Sequence, residues 1–469
     1  MRLVISVAAV LVVLIVGIIV STAFAIREAQ ARAEALAASY EAERQARISQ
    51  AVSDFLRKDL LASVDPYVAQ GREVTVRSFL DAASEKLENK FDQEPLVEAS
   101  IRHTLGNTYR NIGEFGPAQT HLEHAQKIRI EQLGEQNPET LSTMEGLARV
   151  YWRQGRYEDA QSLFTRTVEG RRQVLGQEHP DTLYSMNGLA VLYFSQGRYN
   201  EAESLYAKML EIIRDVLGEE DVSTLLFMGN LATVYRFQGR YNEAELLYLK
   251  ATEHERRVLG PEHPDTLYSM NGLAMLYIAQ GRYDQAERLL LETLEMGRIV
   301  LGAGHPDTLY SMNSLAILCT AQGRYDEAEQ LLADALDLGS LTLGQEHPST
   351  LTTMNCLALL YKEKALYEES ESLYLNTLDS RQQLLGEEHP DTLDSAHGLA
   401  MLYTVLGRHE KAEQLLIKTH DSRRRVLGET HPNVLHSING LIELYQAWGK
   451  PEKAKEWRVK LPQTEAVEQ

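Results

Sequence analysis

The chain has 469 residues and a formal net charge of −20 at pH 7, with 47 lysines and arginines against 67 aspartates and glutamates. This acidic balance argues against a general nucleic-acid-binding protein, because contact with phosphate needs a basic surface. Two cysteines are too few for a disulfide framework or a cysteine-rich metal site. A hydrophobic content of 44% is typical of a folded protein and excludes a disordered chain.

Residues 1–26 predict a transmembrane helix that anchors a single-pass membrane protein. Residues 3–20 are apolar except for Ser6 and Gly17, and the apolar character continues to Ile26. A helix over residues 3–26 is about 36 Å long, which is enough to cross a hydrocarbon core of about 30 Å. Ala23-Phe24-Ala25 also fits a signal-peptidase site, so a cleaved secretory signal is the alternative. The positive residues flanking the span do not decide the side of the membrane on which the remaining chain lies.

Residues 27–62 predict a solvated helical linker. The segment is rich in alanine and charged residues, and residues 27–61 contain no proline or glycine. A thin apolar stripe at near-heptad spacing leaves a weak coiled coil and a single exposed helix open as alternatives. Residues 63–97 predict a connecting segment with one helix, over residues 73–95. Residues 461–469 predict a flexible tail.

Residues 98–460 repeat a unit of 42 residues about nine times, and the last unit is short. The pair Leu-Gly occurs at Leu133-Gly134 and recurs every 42 residues as far as Leu427-Gly428. A His-Pro pair follows most of these pairs, and Gly-Arg-Tyr marks the middle of several units. Self-similarity at a fixed period of about 20–50 residues predicts a solenoid or a propeller.

The apolar residues within one unit predict two helices and no strand. The first helix carries an i, i+3, i+4, i+7 stripe formed by Leu183, Met186, Leu189, Ala190 and Tyr193. The second helix carries a similar stripe between Tyr199 and Ile213, and glycines at 197 and 218 end the two helices. In most units a proline opens the next helix, where its missing N–H costs nothing. Each unit is therefore expected to be an antiparallel helix pair.

This unit resembles the tetratricopeptide repeat, in the 42-residue form of kinesin light chains. The family pattern of Leu, Tyr, Ala and an aromatic residue stands here as Leu189-Ala190-x-x-Tyr193, Ala202 and Tyr206. The resemblance covers about residues 98–460. It implies an all-α fold: a right-handed superhelical solenoid of antiparallel helix pairs, preceded by the transmembrane helix and the helical linker. The unit around Ala365 departs from the pattern, because Gly-Arg is lost there.

The predicted span and the segment rich in Ala, Arg and Glu that follows it are similar to the C-terminal half of bacterial transmembrane serine/threonine kinases carrying repeats of this type. The sequence contains no Gly-rich kinase loop, no His-Arg-Asp and no Asp-Phe-Gly. The resemblance therefore implies an alternative function, as the sensor or docking portion of a kinase signalling system.

No catalytic, cofactor-binding or metal-binding motif is present, so we predict a chain that is not an enzyme and uses no cofactor. The His of each His-Pro pair predicts turn geometry rather than a metal site. Equivalent turns in a helix-pair solenoid are about 10 Å apart, whereas a zinc–imidazole bond is about 2 Å long. Cys319 and Cys356 fall at core positions and predict buried thiols rather than redox groups.

The predicted binding surface is the face of the first helix that lines the concave side in tetratricopeptide proteins. Asn recurs on this face two residues before the pattern Leu, at Asn187, Asn271, Asn313, Asn355 and Asn439. Tyr recurs five residues before the same Leu, at Tyr184, Tyr268 and Tyr310.

Asn is unfavourable inside a helix, so its recurrence needs a reason. Its amide matches the N–H and C=O groups of an extended peptide, and in kinesin light chains the resemblance implies a groove in which Asn contacts the backbone of a cargo peptide. The alternative is that each Asn is a spacer hydrogen-bonded to the adjacent repeat.

These observations predict a non-catalytic, membrane-anchored scaffold that binds a peptide or protein in the groove of its repeats. Its partners are that peptide or protein and the membrane, and we expect neither nucleic acid nor a small-molecule substrate. A kinase-linked docking portion and a secreted soluble scaffold are the alternative functions.

Overall fold

The computed structural model describes residues 27, 32, 35–36, 38–40, 42–55, 76–87, 90–91 and 93–461. Within these ranges the chain is helical, with no β-strand, and no helix is long and apolar enough to cross a membrane. Residues 1–26, the predicted transmembrane helix, lie outside the described residues. The predicted linker is described in part from residue 27 and as a continuous helix over residues 42–54. Residues 462–469 of the predicted tail are also outside the described residues.

Helix α1 (Val76–Leu87) precedes nine helix pairs, in which we call the first helix A and the second helix B. The A helices are α2 (Pro95–Asn111), α4 (Pro138–Arg153), α6 (Pro180–Ser195), α8 (Val222–Phe237), α10 (Pro264–Ala279), α12 (Pro306–Ala321), α14 (Pro348–Glu363), α16 (Pro390–Val405) and α18 (Pro432–Ala447). The B helices are α3 (Phe115–Leu133), α5 (Tyr157–Leu175), α7 (Tyr199–Leu217), α9 (Tyr241–Val258), α11 (Tyr283–Val300), α13 (Tyr325–Thr342), α15 (Tyr367–Leu385), α17 (His409–Leu427) and the short α19 (Pro451–Arg458).

The chain divides between Leu105 and Gly106, within α2, into two compact units. In the first unit, the rings of Phe55 and Phe91 pack edge to face with centroids 6.2 Å apart. The second unit holds nearly all of the repeats, and its buried apolar residues form a core that continues from one repeat to the next.

Small residues let the two helices of a repeat approach closely. Ala190 on α6 and Ala202 on α7 are fully buried, and alanines are fully buried at the same positions of most other repeats. In the seventh repeat Ser370 replaces the B-helix alanine, and its hydroxyl donates to the backbone carbonyl of Ala358 at 2.7 Å. A larger side chain at these positions would force the helices apart, because protein cores are close-packed.

A side chain caps the start of nearly every A helix. In six repeats this side chain is a histidine, whose Nδ1 accepts the backbone N–H two residues later at 3.0–3.3 Å. These residues are His179, His263, His305, His347, His389 and His431. Because Nδ1 accepts a hydrogen bond, each ring is neutral and carries its proton on Nε2. The prediction that these histidines shape turns is confirmed.

The turn between helices A and B needs a residue with positive φ. Glycine supplies it in eight repeats, with φ between +68° and +84°, at Gly113, Gly155, Gly197, Gly239, Gly281, Gly323, Gly407 and Gly449. The seventh repeat, which lost the Gly-Arg pair, keeps the same turn with Ala365 at φ +59°. A Cβ atom on a residue with positive φ costs about 1 kcal/mol. The turn at Ala365 is therefore strained relative to the eight glycine turns.

The second unit returns on itself after six repeats. The A–B turn of each of the first three repeats lies against the start of the A helix six repeats later: Gly113 faces Pro348, Gly155 faces His389, and Gly197 faces His431. A Cβ atom on Gly155 would lie 3.5 Å from His389, and one on Gly197 would collide with the His431 ring. The repeats therefore form a superhelix. Its right-handedness stays a prediction.

The capping histidines also hold this return contact. The backbone carbonyl of Ser195 accepts a hydrogen bond from the His431 ring, and that of Arg153 accepts one from the His389 ring. Since Nδ1 is used by the cap, the donor is the remaining Nε2–H. Burial in this contact lowers the pKa of His431 to about 4, so the ring stays neutral at neutral pH.

We predict that Gly197→Ala destabilises the protein more than Gly281→Ala does. Both glycines have φ near +70°, but only Gly197 faces a neighbouring ring. The free energy of unfolding of each variant should fall by about 1 kcal/mol, because alanine is strained at positive φ. That of Gly197→Ala should fall by roughly a further 1–2 kcal/mol, because the His431 ring must leave its hydrogen bonds. Urea denaturation measures the difference, and faster amide exchange at Asn433 locates it. Equal losses in the two variants would show that the return contact contributes nothing.

Candidate functional site

The A helices lie on the inside of the curve. Neighbouring A helices pack against one another in most junctions, and neighbouring B helices are farther apart. Side chains at adjoining positions of successive A helices therefore meet. Trp152, five residues after its pattern Leu, donates its Nε1–H to Ser195 Oγ, six residues after the next one, at 3.0 Å. The rings of Phe194 and Phe237, at the same two positions one repeat later, pack edge to face at 4.9 Å. We call this surface the inner groove, formed by the residues five and two before the pattern Leu and two, five and six after it.

The three predicted tyrosines lie on the inner groove with half of each side chain exposed. The exposed fractions are 52% for Tyr184, 52% for Tyr268 and 47% for Tyr310. Burial nevertheless raises the pKa of Tyr268 to about 12, with Tyr248 and Tyr310 on either side. The three rings are therefore accessible from the inner groove.

The asparagines bond to neighbouring A helices rather than pointing freely into the groove. Asn271 is 4% exposed and donates to Ser311 Oγ at 2.9 Å, and Asn313 is 5% exposed and donates to Thr353 Oγ1 at 3.1 Å. Asn355 accepts from Ser395 Oγ at 3.1 Å. These contacts match the spacer alternative for three of the five residues. The predicted contact with a peptide backbone stays a prediction for all five.

Asn187 and Asn439 are half-buried, and Asn187 accepts a long 3.5 Å hydrogen bond from Asn230. The carbonyl oxygens of Asn271 and Asn313 are buried without a hydrogen-bond partner in the described structure. An extended peptide could reach these oxygens only if the two A helices shifted apart.

Three exposed apolar side chains of the inner groove were missed in the sequence. Phe237, Leu359 and Val405 are each about half exposed and lie two or six residues after the pattern Leu. With the tyrosines and Ile317 they make a row of apolar groups across six repeats. The signal was present, because counting the same five positions in every unit, including those without Asn or Tyr, would have found them.

Charge gathers at the two ends of the inner groove, and Arg236 adds one charged side chain in the fourth repeat. At the N-terminal end, burial and the nearby Arg149 guanidinium lower the pKa of Arg110, and the same Arg149 group lies 4.3 Å from the centre of the Tyr184 ring. At the C-terminal end His397 replaces Asn, with its ring 4.2 Å from that of His436. Burial and Arg423 lower the pKa of His397 to about 2, so this ring is neutral.

Buried arginines connect the repeats at both ends of the second unit but not in its middle. Each lies four residues before the Leu of a Leu-Gly pair and donates to a backbone carbonyl and a hydroxyl of the next A helix at 2.7–3.0 Å. They are Arg129, Arg171, Arg381 and Arg423. The four middle junctions have Ile213, Glu255, Gly297 and Gly339 at this position. The apolar stretch of the inner groove therefore lies over junctions that lack this polar bridge.

Among the described residues, Glu255 is a buried carboxyl group without a cationic partner. Its Oε1 accepts from Ser269 Oγ at 3.1 Å, and its Oε2 is buried without a hydrogen-bond partner in the described structure. Burial raises the pKa of Glu255 to about 7. Ionisation of this group therefore opposes folding near neutral pH.

We predict that Glu255→Gln stabilises the protein above pH 7. The pKa of this carboxyl is higher in the folded state than its usual 4.5, so its stabilising effect is present below pH 4.5 and is lost as the pH rises to about 7. Over this pH range the free energy of unfolding of the wild type should fall by up to about 3 kcal/mol relative to that of the variant. At higher pH the two free energies should change in parallel. Urea denaturation between pH 4.5 and 8.5 measures this, with the exposed neighbour Glu253→Gln as the control. A constant difference at all pH values would contradict the assignment.

The sequence profile of the tetratricopeptide repeat family matches residues 97–173, 151–215, 181–254, 221–299, 271–340, 349–415 and 393–457. These matches cover well over half of the chain, which therefore belongs to the tetratricopeptide repeat family. No curated protein sequence gives a significant match to it.

Solved structures with similar folds come from several kinds of repeat protein. One is a crystal structure of the nearly identical TPR-like repeats of a Podosopora anserina protein described as a kinesin light chain. It is 29% identical in sequence to this chain, covers 44% of this chain and 97% of its own, and has a TM-score of 0.38. BtubC (BKLC) from P. vanneervenii is 23% identical, with 50% and 94% covered and a TM-score of 0.41. NprR in complex with its cognate peptide NprX is 15% identical, with 78% and 98% covered and a TM-score of 0.50.

Proposed function

We propose that the inner groove binds an extended peptide, or an extended segment of a partner protein, and that the chain acts as a non-catalytic scaffold. The observation that carries the proposal is the row of half-exposed Tyr, Phe, Ile and Leu side chains along successive A helices. Apolar surface of this extent on a folded domain marks an interaction site, and burying it against a partner would supply most of the binding energy.

The chemistry of the groove favours a partner whose central residues are mostly apolar. Tyr184, Tyr268 and Tyr310 combine an apolar ring with a hydroxyl that can donate to a peptide carbonyl. Most charged side chains lie at the two ends, where they fit charged flanking residues of a longer segment, and Arg236 is the exception, in the fourth repeat. NprR, whose structure is similar at a TM-score of 0.50, was solved in complex with its cognate peptide NprX, and this supports peptide binding by a fold of this kind.

The tyrosines rank above the asparagines as peptide contacts. The phenol rings are already accessible, whereas the amides of Asn271 and Asn313 contact a peptide only after their bonds to Ser311 and Thr353 open. Asn187 and Asn439, which are half-buried, are the better candidates for backbone contacts.

We expect replacement of the three groove tyrosines to weaken binding of selected peptides. Peptides chosen from a phage-displayed random library on the full chain should bind Tyr184→Ala/Tyr268→Ala/Tyr310→Ala at least about tenfold more weakly, since each ring buries a large apolar area. Fluorescence anisotropy with labelled peptides measures the change. A matched control, Leu246→Ala/Leu291→Ala, removes exposed apolar side chains from the B helices and should leave binding intact.

Two further results decide what the groove does. Equal binding by the tyrosine variant and the wild type would contradict the proposed site. Asn271→Ala/Asn313→Ala should lower stability by about 1–2 kcal/mol per site, because each removes a buried hydrogen bond, and a loss of affinity beyond the loss of stability would establish the peptide contact.

The membrane anchor is the second part of the proposal, and its support is the sequence of residues 1–26 alone. The full chain should sediment with membranes and resist extraction at high pH, whereas residues 27–469 should stay in the supernatant, because only the apolar helix inserts stably. Mass spectrometry of the N-terminus is the control. A mature protein that begins near Ile26 and is released from membranes would instead establish the secreted scaffold.

A further inference from the structure

The return contact joins two different surfaces of the repeat. One surface, which we call the turn edge, consists of the A–B turns with their positive-φ glycines. The other, which we call the cap edge, consists of the last turn of each B helix, the Leu-Gly pair and the capping residue of the next A helix. Within the chain, the turn edge of repeats 1–3 lies against the cap edge at the start of repeats 7–9.

In the part of the chain that the structure describes, only the C-terminal end of the cap edge is covered. The side chain of His389 is 12% exposed in the return contact, whereas those of His179, His263 and His305 are 39–40% exposed. Leu385 and Leu427, which precede the covered repeats 8 and 9, are buried, whereas Leu217 is half exposed. The same sequence elements are thus paired at one end of the second unit and bare at the other.

The bare part of the cap edge carries a row of apolar side chains. Val174, Val216, Val258 and Val300 lie one residue before successive Leu-Gly pairs and are 44–53% exposed. At the same position in the seventh repeat, Leu384 lines a cavity of about 420 Å³ formed with the first A–B turn, at Ile112 and Phe115. In the seventh repeat this position therefore faces a turn edge.

The complementary surface is bare at the other end. A Cβ atom on Gly239, Gly281 or Gly323 would have nothing within 4 Å, although their φ angles match those of the paired Gly155 and Gly197. All three lie in the same Gln-Gly-Arg-Tyr sequence as Gly197. The turn edge of repeats 4–6 is therefore built like the paired turns but lacks an opposing cap edge in the described residues.

We propose that the bare cap edge of one chain binds the bare turn edge of a second copy of the same chain. The in-chain contact shows that the two edges fit, and the occupant that carries the right edge for each is another copy. Because the two surfaces differ, the contact is heterologous and adds copies in one direction unless the rotation closes a ring. This inference does not rest on peptide binding, although Tyr184 and Asn187 of the inner groove line one cavity with Val216 and Leu217 of the cap edge.

Electrostatic repulsion between copies limits the association. The chain carries a net charge of −20, so copies repel at low ionic strength, and added salt screens that repulsion. Both edges also carry charged side chains: Glu219 and Glu262 follow the Leu-Gly pairs of the cap edge, and Arg240 and Arg282 follow the turn glycines.

The test is a complementation experiment on the full chain, kept in the same mild detergent throughout. One variant blocks the cap edge (Val216→Glu/Val258→Glu), and a second blocks the turn edge (Gly239→Asn/Gly281→Asn). The valines are exposed, and Asn tolerates positive φ, so both should keep the wild-type circular dichroism and melting temperature. Leu246→Glu/Leu291→Glu places the same charges in the middle of B helices, away from both edges.

Sedimentation velocity should show that the wild type and the Leu control grow with concentration beyond dimers. Each single-edge variant should stay small, and an equimolar mixture of the two should form dimers and stop, because each retains one intact edge. The proposal is overturned if the wild type never exceeds the mass of a chain carrying all four edge substitutions, or if the mixture does not associate. It is also overturned if the single-edge variants assemble like the wild type.

Discussion

The close approach of two helices at paired small residues is the contact on which the rest of the structure depends. Ala190 against Ala202, repeated through the chain, fixes the crossing of each helix pair, and the invariant spacing of 42 residues makes every pair nearly the same. Identical pairs stacked with identical offsets must form a regular curve. That curve places the A helices inside and brings the first three repeats against the last three.

The histidine caps connect local and long-range structure. A histidine that caps with Nδ1 is neutral and has one free donor, Nε2–H, which points away from its own helix. At positions 389 and 431 that donor finds a carbonyl six repeats earlier in the chain. An Asp or Asn cap, as at Asp221 or Asn137, satisfies its own helix equally well through an oxygen. Histidine therefore serves two contacts where the other caps serve one.

The junctions between repeats are bridged in different ways along the second unit. The four buried arginines tie the terminal junctions to the next A helix. At two of the middle junctions the side-chain hydrogen bonds from Asn271 to Ser311 and from Asn313 to Thr353 take their place, and Glu255 adds a buried carboxyl group that accepts from Ser269. The exposed apolar row of the inner groove lies over this middle region. A partner in the groove would thus contact repeats that are joined by asparagine bridges rather than by arginines.

Much of this architecture could be predicted from the sequence, because the signals are local. Leu-Gly, His-Pro and Gly-Arg-Tyr each mark a turn, and the apolar spacing between them marks a helix, so the helix pairs and the caps followed directly. The burial of Asn271 and Asn313 did not follow, since their partners, Ser311 and Thr353, lie 40 residues away. The return contact was also missed, because it depends on small angles summed over six repeats, which no single residue encodes.

In this geometry, contacts between distant repeats form only when the chain has more than six units. A chain with six or fewer such units has only nearest-neighbour interfaces, so its stability grows by the same increment for each unit added. Every unit beyond the sixth also closes a contact with an earlier one, as at Gly113, Gly155 and Gly197. Deleting one internal unit would leave every hairpin intact yet remove one of these three closures, so the gain or loss of whole units changes cooperativity as well as length.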